Sequence, residues 1–148
     1  MEKKIVRLKK LRPDAVVPAY GSPFSAGADL CACIDGPVTV APGETVMVPT
    51  GLMLELPEGH AGLVCARSGL ASKRGLAPAN KIGVIDSDYR GEVIVALFNH
   101  SREAQTIVPG ERVAQLVVTP VAACVFEESA LLSETARGSG GFGSTGRV

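Results

Sequence analysis

Short apolar runs of strand length, most of them separated by glycine or proline turn signals, recur along most of the chain. They stand at residues 5–11, 28–33, 38–40, 45–49, 51–56, 62–66, 81–85, 92–99, 105–108, 112–120 and 124–126. Gly36-Pro37, Pro42-Gly43, Pro57-Glu58-Gly59 and Pro109-Gly110 punctuate them, as expected where a chain must turn sharply between strands. Many short strands at close spacing predict an all-β sandwich or barrel. One helical turn is expected, over residues 68–73, with Ser68 as its candidate N-cap. At the N-terminus Lys3, Lys4, Arg7, Lys9 and Lys10 alternate in part with Ile5, Val6, Leu8 and Leu11. Lysines so placed mark an edge strand guarded against further pairing. The periodic pattern ends near Phe126, which divides the chain into a core domain over 1–126 and an arm over 127–148.

Composition narrows the class without changing this outline. At 148 residues one domain can bury a core unaided, and 46% apolar with 20% charged residues describes an ordinary globular chain. Aromatics are only 4%, so aliphatic side chains must fill the interior. A formal net charge of zero argues against nucleic acid as the main partner. No apolar run is long enough to span a bilayer. The cysteines Cys31, Cys33, Cys65 and Cys124 form no Cys-x-x-Cys pair, and His60 and His100 are the only histidines. A zinc cage is therefore not expected. Cys31 and Cys33 are expected on one strand face as small hydrophobes. Without a signal peptide the chain is expected in the cytoplasm, with its thiols free.

Two stretches carry candidate chemistry. In Gly83-Val84-Ile85-Asp86-Ser87-Asp88-Tyr89-Arg90-Gly91-Glu92, two acids, an aromatic and an arginine stand between two apolar runs. Read as two strands joined at a turn, this places the carboxylates at a fixed, partly shielded point suited to a base; it reads equally as a solvent-exposed hairpin tip. The tail Arg137-Gly-Ser-Gly-Gly-Phe142-Gly143-Ser144-Thr145-Gly is too rich in glycine to fold alone. It is either a flexible terminus or a cradle for an anion and a planar ring.

Five segments stand in order along the chain: Ala26-Gly-Ala-Asp-Leu30, Ala66-Arg-Ser-Gly-Leu-Ala71, residues 83–92, Gly110-Glu-Arg-Val-Ala-Gln115 and residues 137–146. Their order and spacing resemble the homotrimeric dUTP pyrophosphatases (dUTPases) over essentially the whole chain. The resemblance implies a jelly-roll-like distorted β-barrel with one short helix and a flexible Gly-rich C-terminal tail. It implies a homotrimer whose sites are shared between subunits and closed by the tail of one of them. The implied reaction is dUTP plus water to dUMP and pyrophosphate, with Mg2+ on the triphosphate.

Site roles follow from the resemblance, position by position. Asp86 matches the base that activates the attacking water. Asn80, Gly83, Val84, Ile85 and Tyr89 match the turn that reads uracil and deoxyribose, with the Tyr89 ring excluding a 2′-hydroxyl; Phe142 matches a residue stacked over uracil. Arg67, Ser68, Gly69, Gln115, Arg137, Gly143, Ser144 and Thr145 match phosphate ligands. Asp29 matches a network beside the metal rather than a direct ligand, or it caps a turn; Arg112 is expected to be structural and Asp88 accessory. Position 66 is alanine, where the family is associated with proline. The competing readings are a dCTP deaminase-like enzyme, which shares the barrel and part of the spacing, and a nucleotide-sensing regulatory trimer.

Overall fold

The computed structural model describes residues 3–141. Its strands, in chain order, are β1 (Arg7–Lys10), β2 (Ala19–Tyr20), β3 (Ala28–Cys31), β4 (Val38–Val40), β5 (Thr45–Glu55), β6 (His60–Cys65), β7 (Leu76–Pro78), β8 (Gly83–Ile85), β9 (Glu92–Asn99), β10 (Gln105–Ile107) and β11 (Arg112–Pro120). The helix α1 (Ser68–Arg74) lies between β6 and β7. The strands form a four-stranded sheet ordered β1-β5-β9-β7, a five-stranded sheet ordered β2-β3-β11-β6-β8, and the pair β10-β4. Every pairing is antiparallel.

Period-two patterning builds this arrangement. In β9 the residues Val93, Val95, Leu97 and Asn99 turn inward while their neighbours are more exposed. Val93, Val95 and Leu97 meet Val48 and Leu54 of β5, Leu30 of β3, Val64 of β6, Val113 and Leu116 of β11, and Leu70 of α1 in one apolar cluster. Burying one face of each sheet against the other is the main stabilising term. The result is the expected jelly-roll-like fold, with the barrel left open. β1 and β2 are edges of different sheets, and all four residues of β1 are exposed, in keeping with a lysine-guarded edge.

Several expectations needed correction. The segments expected at 45–49 and 51–56 are one strand, β5, whose pairing with β9 shifts register between Pro49 and Met53. Proline has no N–H for the ladder and Gly51 has φ +68°, so the strand bulges there instead of ending. Residues 124–126 form no strand, and Val125 and Phe126 are 96% and 95% exposed; strand propensity without an edge to pair against does not make a strand. β2 and β7 went unforeseen because two or three residues carry too little pattern. Arg67 rather than Ser68 is the N-cap of α1, and its side chain makes no capping bond. The helix ends at Gly75, whose φ of 67° permits the left-handed cap.

Cys31 and Cys33 are both buried, as expected, although β3 ends at Cys31. Burial pushes both thiols up and keeps them protonated at neutral pH. Asn99 is the polar exception in the core. Its side chain is fully buried, donates to Val40 O (2.9 Å) and Glu103 O (2.8 Å), and accepts from Ser101 N and Oγ. Asn99→Ala removes all four of these bonds at once, although Glu103 O keeps its bond from Ser101 Oγ at 2.9 Å. It is expected to cost about 3 kcal/mol, read as a lower thermal midpoint at matched protein concentration.

Candidate active site

The stretch 83–92 is not a hairpin. β8 pairs with β6 in the five-stranded sheet, whereas β9 lies between β5 and β7 in the four-stranded one. The residues between them therefore carry the chain across the sandwich. This crossing is tied down locally: Tyr89 N donates to Asp86 O at 3.2 Å, and Arg90 Nη1 turns back to Ser87 O at 2.7 Å and Tyr89 O at 3.0 Å. Ahead of it the chain turns tightly, with Lys81 N donating to Pro78 O and Ile82 N to Asn80 O. Lys81 takes a φ of 65° to do so.

Asn80, Gly83, Val84, Ile85, Asp86 and Tyr89 line one cavity of about 360 Å³. Its remaining wall is mainly apolar, from Met47, Val64, Val93, Ile94 and Val95. A slot of that character accepts a planar ring with a few fixed polar contacts at its edge. The expected shielding of the acid is absent within one chain: Asp86 is exposed, as is Asp88. A crossing between sheets runs along the surface and leaves its acids in water.

The second group assembles around β11. Gln115 faces Asp29 of β3 on one side and Cys65 of β6 on the other. Its Nε2 donates to Ala66 O at 2.8 Å, next to the start of α1. The Asp29 side chain is only 18% exposed and accepts from Arg67 Nε (2.8 Å) and Arg112 Nη1 (3.2 Å). One part-buried carboxylate thus holds both guanidiniums in place, and Arg112 is tied to β3 through it. Gly27 fits closely over this group, since a Cβ there would come within 2.9 Å of Gln115 Cδ.

These residues, with Ser68 and Gly69, line an open cleft of about 750 Å³. Arg67, Lys73, Arg74 and Arg112 outnumber Asp29 and Glu111 along its walls, so the cleft favours an anion. Ser68 and Gly69 are exposed at the uncapped first turn of α1, where backbone N–H groups lack intrahelical acceptors. The sequence reading missed the brace behind this turn. Arg74, at the end of α1, pairs with Glu111 Oε1 and donates from Nε to Gln105 Oε1 at 3.0 Å, while Glu111 Oε2 accepts from Val108 N. Glu111 stands inside one of the five motifs, but only the fold identifies its partner.

The two cavities share no lining residue. Residues assigned to one site thus fall into two separate groups within the chain. Arg137 lines neither cavity and donates from Nε to Gly140 O at 2.9 Å. Phe142, Gly143, Ser144 and Thr145 lie outside the described residues. Among the described residues no group of three or more His, Cys, Asp or Glu side chains is placed to hold a metal ion.

Comparison with known proteins identifies the family and agrees with the fold. The family model described as dUTPase matches residues 14–146. A deoxyuridine 5'-triphosphate nucleotidohydrolase of Thiobacillus denitrificans is 50% identical over 132 residues, 88% of this chain and 90% of its own. One from Rhizobium etli is 54% identical over 132 residues, 88% and 85% of the two chains. Among solved structures, a variant of the Staphylococcus bacteriophage 80alpha dUTPase with dUpNHpp superposes with a TM-score of 0.88 at 26% identity, covering 97% of this chain and 99% of that one.

Proposed function

The chain belongs to the dUTPase family, and from that premise we propose that it converts dUTP and water to dUMP and pyrophosphate. The observation that carries this reading is the crossing between sheets, which gathers Asn80, Gly83, Asp86 and Tyr89 around a single apolar slot. Uracil and deoxyribose enter that slot. The backbone of 80–85 and the Asn80 side chain read the base edge, and Tyr89 stands against the sugar. Asp86 takes a proton from a water whose oxygen attacks the α-phosphorus. The bond to the bridging oxygen breaks and pyrophosphate leaves. Little covalent help is needed if water and triphosphate are held in line. By limiting dUTP and supplying dUMP, the reaction keeps uracil out of DNA and feeds dTMP synthesis.

The cationic cleft is the triphosphate's half of the site, with Arg67, Ser68, Gly69 and Gln115 as ligands. Asp29 already accepts from two guanidiniums, which suits a carboxylate that orients phosphate ligands better than one that binds a metal directly. Mg2+ fits as an ion carried on the triphosphate with water ligands, and when bound it neutralises charge on the leaving pyrophosphate.

Because the two cavities of one chain are separate, a complete site draws on neighbouring copies, and we read the protein as a homotrimer. Exposed Met47, Val84 and Ile94 around the slot, with Val125, Phe126, Leu131 and Leu132 beyond β11, supply apolar surface for such contacts. The arm over 127–148 serves as the lid, with Phe142 over the base and Arg137, Gly143, Ser144 and Thr145 on the phosphates. Among the described residues no helix is long and apolar enough to cross a membrane, and we place the enzyme in the cytoplasm.

The test is pyrophosphate release from dUTP, dCTP, dTTP and UTP, each with Mg2+. Release from dUTP alone supports the reading. Consumption of dCTP moves it to the deaminase branch. Tight dUTP binding with no turnover makes the protein a sensor.

A further inference from the structure

The Tyr89 ring rests on a support that takes no part in the reaction proposed above. Its hydroxyl donates to Glu92 O at 3.0 Å. Glu92 is fixed in turn, since its Oε1 accepts from Gly51 N at 2.8 Å in the β5 bulge. Next to it Thr50 Oγ1, fully buried, donates to Val93 O at 2.6 Å. The bulge thus anchors the start of β9, and the start of β9 anchors the far end of the tyrosine ring.

Gly91 lies directly beneath that ring. A Cβ on Gly91 would come within 2.9 Å of Tyr89 Cε2 and closer still to Cζ and the hydroxyl; these are its three nearest neighbours. Gly91 is not among the glycines with positive φ, so its backbone would accept an L side chain. What a side chain at 91 meets first is the tyrosine ring. The requirement for glycine is therefore one of close approach rather than of turn geometry.

We propose that Gly91 is a specificity-determining position, whose missing side chain lets Tyr89 hold its hydroxyl on the Glu92 carbonyl and so form a fixed wall against a 2′-hydroxyl. The inference rests on the reading of Tyr89 as the residue against the sugar. A methyl group at 91 meets the hydroxyl end of the ring first and breaks its bond to Glu92 O. Tyr89 is 45% exposed, and once untethered it has room to swing. A fixed wall rejects a ribose by steric overlap; a wall that swings aside admits it. Gly91 is a positioning residue in this scheme, acting only through Tyr89.

The experiment compares kcat/KM for dUTP and UTP in the full-length wild type, Gly91→Ala, Tyr89→Ala and the double variant, with circular dichroism and assembly mass as controls. Gly91→Ala is expected to lower the dUTP-to-UTP ratio by about tenfold. Tyr89→Ala should lower it further, and adding Gly91→Ala to Tyr89→Ala should change nothing more. A merely structural role for Gly91 would slow both substrates alike and leave the ratio where it was. A folded Gly91→Ala protein with the wild-type ratio overturns the inference, as does an equal loss in the Tyr89→Ala background. Should Gly91→Ala fail to assemble, Tyr89→Phe carries the test, because it removes the same tether; an unchanged ratio there overturns the proposal as well. A wild type with no preference for dUTP over UTP removes the premise about Tyr89 and the inference with it. A selective wild type beside an equally selective Gly91→Ala sinks the inference alone.

Discussion

Asp86→Asn is expected to lower dUTP turnover by about 10²–10⁴-fold, the usual worth of a positioned general base, with nucleotide affinity close to that of the wild type. Asparagine keeps the size and shape of aspartate but cannot take the proton of the attacking water. Asp86 is exposed within the chain, and its backbone carbonyl, rather than its carboxylate, accepts from Tyr89 N. The crossing should therefore keep its shape in the variant. Calorimetric binding of dUpNHpp beside single-turnover hydrolysis of dUTP separates the two effects. Near-normal turnover would move the base elsewhere, with Asp88 as the next carboxylate to try. Lost binding would mean that the carboxylate holds the nucleotide rather than activating water.

Deletion after Ala136 is expected to lower kcat/KM for dUTP by about 10²-fold or more, the scale on which positioning and water exclusion act, while leaving the assembly mass unchanged. The segment removed contains Arg137, Phe142, Ser144 and Thr145. Among the described residues Arg137 donates within its own turn, to Gly140 O, and no core residue bonds to 137–141. The chain leaves the body at Val121, whose N–H donates to Gly59 O at 2.9 Å. The apolar residues Val125, Phe126, Leu131 and Leu132 stay in the truncated chain to make contacts between copies. Light scattering coupled to size exclusion checks the assembly, and pyrophosphate release checks the rate. Full activity after truncation would rule out the lid. Dissociation would instead make the tail a structural strap.

The sequence by itself determined several strand bounds to the residue. β9 is legible because burying one face of a sheet writes a period of two into the chain, β4 because Gly36-Pro37 and Pro42-Gly43 bracket it, and β11 because it runs from the Pro109-Gly110 turn to Pro120. It also determined the guarded edge at β1 and the one short helix, whose start it misplaced by a single residue at the cap. The five motifs and their order identified the family without any coordinates. Chemistry at fixed spacing is a local property, and local properties survive in a linear text.

Tertiary structure alone decided how those pieces meet. Residues 83–92 look like a hairpin because strand, turn and strand follow in sequence; β8 joins β6 instead because pairing partners are chosen by burial across the whole sheet, not by adjacency. Asp29, Arg67, Arg112 and Gln115 are scattered over the chain and converge because β11 lies between β3 and β6. The Arg74–Glu111 brace and the seat that Gly91 and Glu92 make for Tyr89 depend on side-chain positions that no periodicity encodes. Placing the apolar slot and the cationic cleft in different cavities is likewise a product of the fold, since β8 and β9 line the one while β3, α1 and β11 line the other.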